Sequence, residues 1–192
     1  MGFFEVIKNK PKKLKVKKNV DALEQVFNYY SFFGKEKHKF NQEIIEKYLN
    51  SNNPNDCLAV AISYLEEGAD NRKNAIIYFE KYLLNPSSQQ YFPDWFIFSS
   101  LADLNEKEYM FENAIICLKK LIAIDNDSNY ADYIRIGDVL VKINIDKAVD
   151  YYENLKKWKI YHKNKKIFDE AYEKVLEKKK KGYVYRPRKR NK

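Results

Sequence analysis

The sequence predicts an all-α protein, a short α-solenoid of antiparallel helix pairs, and three observations carry that expectation. Glycine and proline are scarce, five of each in 192 residues, while Lys, Glu, Ile, Leu and Tyr abound; this balance favours helices over a turn-rich sandwich. Three segments align on a shared alanine: Ala75-Ile-Ile-Tyr-Phe79-Glu-Lys-Tyr82, Ala114-Ile-Ile-Cys-Leu118-Lys-Lys-Leu121 and Ala148-Val-Asp-Tyr-Tyr152-Glu-Asn-Leu155. In each, a large apolar residue stands four positions after the small one and another stands three further on, the spacing of one helical face. Upstream of each alanine lies a second apolar set at the same spacing: Ala59, Ile62 and Leu65, then Phe98, Leu101 and Leu104, then Tyr133, Ile136 and Leu140. Every aligned helix therefore has a partner.

The intervals between the alanines set the repeat length. Ala114 to Ala148 is 34 residues and Ala75 to Ala114 is 39. The five extra residues fit the segment Asn85-Pro-Ser-Ser-Gln-Gln-Tyr-Phe-Pro93, where two prolines and a polar cluster mark a break between helices. Pro54 and Pro93 suit first helical turns, Gly68 suits a C-terminal cap, and Asp70 and Asp146 suit N-caps of second helices. The expected pairs are residues 54–84, 93–124 and 129–157. An ordinary helical bundle with recurring alanines is the competing reading, and the length suits one well-buried domain or an array of five or six short helices, with one unit favoured.

Residues 56–157, about half the chain, resemble three tandem tetratricopeptide repeats. The second first-helix carries Phe98, Leu101 and Ala102 at the large, Leu and small positions of that family, and the third carries Tyr133, Ile136 and Gly137. The departures are Tyr82, Leu121 and Leu155 where alanine is usual, and no proline after the second and third repeats. The resulting organisation is a basic arm at residues 1–20, an N-terminal helical pair at 21–53 that reads as a degenerate repeat, and the three repeats within 54–157. A capping helix at 158–181 and a basic, disordered tail at 182–192 complete it. The pair is Val20 to Tyr30 and Phe40 to Leu49, separated at Gly34; the cap runs from Ile160 to Lys181 with Ile160, Ile167, Phe168, Ala171, Val175 and Tyr172 on its apolar face. Caps are needed because end repeats otherwise expose their stacking faces.

The net charge of +9 conceals an opposition. Residues 1–20 hold seven Lys and one Glu, residues 178–192 hold nine Lys or Arg and no acid, and residues 21–177 are left with −6. An acidic body carries basic arms. No secretory signal is expected, because the apolar start (Phe3, Phe4, Val6, Ile7) is short and the lysines follow it instead of preceding it, and no apolar run approaches the roughly 20 residues that cross a bilayer. Cys57 and Cys117 lack any CxxC or Cys/His spacing and read as buried thiols of a reducing, cytoplasmic compartment.

No enzyme motif is present. The glycines are scattered singly, so no loop would cradle a phosphate, and His38 and His162 sit in Lys-rich helical segments without neighbouring ligands. Asp125-Asn-Asp-Ser lacks the glycine and distal Glu of a calcium loop. The expectation is a non-catalytic protein with no cofactor and no metal. Aromatic residues make up 16% of the chain, and most fall at helical core spacing, so core packing is the default over base stacking.

The resemblance implies a superhelix whose inner wall is built from the first helix of each repeat. Counted from Asp56, Trp95 and Tyr130, the inward positions include Val60, Tyr64 and Glu67; Phe96, Ser99, Asp103 and Glu106; and Ile134, Asp138 and Val141. This lining mixes apolar and acidic residues and lacks the Lys and Asn clamp by which some family members hold a carboxylate tail. The expected partner is a protein or a cationic, amphipathic peptide. A second reading is nucleic-acid or ribosome association through Lys178, Lys179, Lys180, Lys181, Arg186, Arg188, Lys189 and Arg190, with Tyr183 and Tyr185 among them. Membrane attachment through Phe3, Phe4, Ile7 and the following lysines is the weakest of the three.

Overall fold

A computed structural model describes residues 21–29, 35–86, 92–125 and 129–187. The basic arm at 1–20, the break at Gly34, and Arg188, Lys189 and Arg190 of the tail lie outside those residues. The regular elements among the described residues are all helices, and they divide into two compact units between Tyr91 and Phe92.

Unit 1 contains α1 (Ala22–Tyr29), α2 (Lys35–Tyr48), α3 (Pro54–Glu66) and α4 (Arg72–Leu84), with a 3-10 turn at Ala69–Asn71 between the last two. Helices α3 and α4 form the antiparallel pair predicted at 54–84, and α1 and α2 both pack on α3. Leu23, Val26, Phe40, Ile44, Leu58, Ile62 and Phe79 make a shared core. Pro54 occupies the first turn of α3, where its missing N–H costs nothing, and the Asn53 side chain accepts from the Asn55 amide at 2.9 Å. Gly68 follows the C-cap at φ 95° and ψ −151°, a backbone region that glycine alone enters readily and distinct from the left-handed helix stop.

Unit 2 contains α5 (Asp94–Lys107), α6 (Phe111–Ile124), α7 (Tyr130–Ile143), α8 (Ile145–Leu155), α9 (Lys159–Lys163) and α10 (Lys165–Lys180). Helix α5 pairs with α6 and α7 with α8, as predicted, while α6 packs on α7 and α10 on α8 and α7. Ala75, Ala114 and Ala148, the residues that aligned the repeats, are all fully buried within these pairs. Gly137 on α7 meets Tyr152 on α8 so closely that an added Cβ would lie 2.5 Å from the ring and hydroxyl.

Three local expectations are corrected. Asp70 and Asp146 are not N-caps. Asp70 lies inside the 3-10 turn, and α7 and α8 are joined through Asn144 alone, whose extended backbone and side chain cap α8 by accepting from Asp146 and Lys147. Asp146 instead occupies the first turn of α8, where a carboxylate complements the helix dipole. Pro93 is the residue just before α5 rather than within its first turn.

The capping segment is two helices, not one. The chain breaks at Asn164, whose amide side chain donates to the Ile160 carbonyl at 3.1 Å. The break lets Tyr161 stack on Phe168, 5.8 Å between centroids, so that Ile160, Tyr161 and Phe168 all reach one core. Of the predicted face, Ile160, Phe168, Tyr172 and Val175 are buried, Ala171 is half-buried and Ile167 is exposed.

Candidate protein-binding surface

Of the predicted lining, Val60 and Tyr64 belong to α3 of unit 1 and Glu67 is its C-cap, and the remaining seven residues belong to α5 and α7 of unit 2. Val60 and Val141 are buried and offer nothing to a partner. Tyr64, Phe96, Ser99 and Ile134 are half-buried, and Asp138 is exposed. The Tyr64 ring lies 5.9 Å from Tyr78, and burial raises its phenol above the ordinary range. Phe96 packs 5.0 Å from Phe92 and 6.3 Å from Trp95, itself exposed at the start of α5.

The acids of this face are not a bare negative surface. In unit 2, Arg135 of α7 bridges both carboxylates of α5: its Nε donates to Glu106 Oε1 at 2.6 Å and its Nη2 to Asp103 Oδ1. Lys142, two turns further along α7, reaches Glu106 Oε2 at 3.0 Å. Burial works against the Arg135 charge, but Glu106 and Asp103 outweigh it and hold the guanidinium above its usual value. Asp138 forms no ion pair among the described residues.

Unit 1 answers its acids the same way. Glu66 pairs with Lys37 of α2 at 2.9 Å, and Glu67 accepts from Asn41 at 3.0 Å and Gln42 at 2.9 Å and contacts His38. Burial pushes the Lys37 amine down and the Glu66 carboxyl up, and their mutual attraction offsets only part of it.

Sequence reasoning did not find Arg135, Lys142 or Lys37 as partners of these acids. A usable signal exists in α7, where Arg135 and Lys142 are seven apart on one face, one repeat after the Asp103 and Glu106 pair.

It also did not find the surface feature that α10 creates. Helix α10 lies along α7 and closes a groove of about 330 Å³. Ile134, Ile167, Ala171 and Val175 form its floor, and Asp138, Glu170, Lys174, Lys178 and Lys181 its charged sides. Two of the predicted lining residues, Ile134 and Asp138, thus meet side chains from the supposed cap.

Residues 182–187 of the tail are described and turn back from the end of α10. The Gly182 amide donates to Lys179 O at 2.9 Å and the Tyr183 amide to Lys178 O at 3.0 Å, closing α10 and turning the chain back. Tyr185 then sets its ring edge-on to Phe111 at 5.6 Å. Lys179 pairs with Asp146 at 2.7 Å and Lys181 with Glu177 at 2.5 Å, while Lys178 lies 5.7 Å above the Tyr183 ring. Lys180 and Arg186 are exposed.

Cys57 and Cys117 are buried free thiols. Among the described residues no group of three or more His, Cys, Asp or Glu could hold a metal ion, and no helix is long and apolar enough to cross a membrane.

No protein-family model and no curated protein matches the chain. Among solved structures, the chain is similar to the crystal structure of MamA protein, with 20% identity over 87% of this chain and 95% of that one and a TM-score of 0.45. A likeness that shallow carries nothing about function.

Proposed function

We propose that the protein is a non-catalytic scaffold or adaptor that binds a protein or peptide partner on the first-helix face of its repeats. The observation supporting this is the groove between α7 and α10, which combines an apolar floor with charged sides. A groove of that kind suits an amphipathic segment: apolar side chains supply affinity by burial, and charges set register and exclude wrong partners. Ile134 and Asp138 are the residues we assign to contact, with Phe96 and Ser99 on α5 as further partner-facing positions in the same unit.

The preference for a cationic segment now rests on Asp138 and Glu170. Asp103 and Glu106 are answered by Arg135 and Lys142, and Glu67 by its α2 neighbours, so these acids contribute little net field. A basic residue in the ligand would sit near Asp138, with its apolar neighbours on Ile134 and Ile167.

A peptide-display selection against the full chain tests this. Selected peptides should be amphipathic and should lose binding to Ile134→Asp and to Asp138→Lys, while Ile116→Asp, on the exposed side of α6, binds as the parent does. Selected peptides that bind Ile134→Asp undiminished would remove the groove from the account.

A further inference from the structure

Lysines at a helix C-terminus are explained in part by the helix dipole, and two of the four that end α10 have local partners as well. Lys179 is held by Asp146 and Lys181 by Glu177. Lys178 and Lys180 make no ion pair among the described residues, and neither does Arg186 beyond the turn. These charges are not neutralised by the fold.

The backbone fixes an aromatic ring among them. Gly182, at φ 64°, takes the left-handed conformation that closes the helix without side-chain strain. The Tyr185 ring on Phe111 then anchors the returning segment. Between these two fixed points Tyr183 is left 40% exposed, with the Lys178 ammonium over its ring. The sequence continues with Arg188, Lys189, Arg190 and Lys192, and residues 178–192 contain no acid.

We infer that the end of α10 and residues 183–186 form a binding site for single-stranded nucleic acid. Uncompensated cations collect phosphates, and a ring held in place but open to solvent stacks a base. An acidic peptide would use the lysines and leave the ring idle. A membrane surface would find only Tyr183 and Val184 to bury, too little apolar area for an anchor. The site adjoins the protein-binding groove and shares Lys178 with its rim, while Lys180, Tyr183 and Arg186 lie outside the groove's lining.

The test is anisotropy of a labelled oligouridylate with the full chain across a salt series. Lys180→Gln/Arg186→Gln should lower the slope of log affinity against log salt by about 1.4, since each single-strand phosphate contact contributes roughly 0.7. Tyr183→Ala should lose about fivefold or more, and Tyr183→Trp should retain binding. Lys163→Gln/Lys166→Gln removes the same charge elsewhere in unit 2 and should change neither. Equal losses in that control pair, an unaffected Tyr183→Ala, or binding to phosphatidylserine vesicles while the oligouridylate stays free would each overturn the inference.

Discussion

The two units solve one electrostatic problem at different depths. Each places two carboxylates near the end of a pair's first helix, Glu66 on α3 with its C-cap Glu67, and Asp103 and Glu106 on α5, and each supplies a cation from a neighbouring helix. In unit 1 the pair is sunk: the Lys37 side chain is 7% exposed and Glu66 is 19% exposed. In unit 2 the network is wetter, with Asp103 half exposed. The same pattern therefore carries different energies. A buried pair repays little beyond its own desolvation yet is costly to break, whereas a partly solvated network tolerates losing a member.

The largest effect should come from breaking the buried pair. Lys37→Met leaves Glu66 without its cation and should cost about 3 kcal/mol, measured by urea unfolding. Arg135→Met in unit 2, where Lys142 still holds Glu106, should cost about 1 kcal/mol. Similar costs for the two would erase the distinction between the units. Replacing both members of the buried pair, Lys37→Met with Glu66→Leu, should be near neutral.

Next in size is the contact between paired helices. Gly137→Ala drives a methyl into Tyr152 and should cost about 2 kcal/mol. The corresponding small residue in unit 1, Ser63, already carries a Cβ, and its buried hydroxyl has no hydrogen-bond partner. Ser63→Ala should thus be neutral or slightly stabilising. A neutral Gly137→Ala would place the close approach elsewhere.

A smaller effect is the pH dependence of the buried pair. Glu66 is raised in the fold, so its contribution is most favourable below the ordinary carboxylate range and is lost as pH rises through the raised value. Lys37 is lowered, so it contributes in the opposite sense, favouring the fold above the ordinary lysine range and losing that as pH falls through its lowered value. At neutral pH both charged forms are held at a cost. The double replacement should flatten the melting temperature between mildly acidic and neutral pH relative to the parent, and an unchanged slope would show that Glu66 is not the group responsible.

Helix positions were legible because apolar spacing and caps are local properties: Pro54, Gly68 and the aligned alanines each report on their own turn. The misreadings are non-local. Nothing near Glu106 in sequence announces Arg135 or Lys142, which arrive from the next repeat. Val60 and Val141 occupy positions that face a groove when a repeat is open, but neighbouring helices cover them here. The break at Asn164 does not show in the apolar spacing, because Tyr161 and Phe168 are seven apart and would share a face on an unbroken helix as well; the contact of Phe168 with Tyr133 comes from another helix. The docking of Tyr185 was hidden by its basic surroundings, since composition reports charge density and not a single anchoring ring.

The central claim is that the α7 face, and not the outer side of the pairs, meets the partner. Its most direct test is a photoreactive side chain placed at Ile134 or at Ile116, which is 57% exposed on α6, in the full chain inside its native cells. The account predicts a discrete adduct from position 134 that disappears when Asp138→Lys is added, and none from 116. Adducts from 116 with none from 134, or an adduct at 134 indifferent to Asp138→Lys, would contradict it.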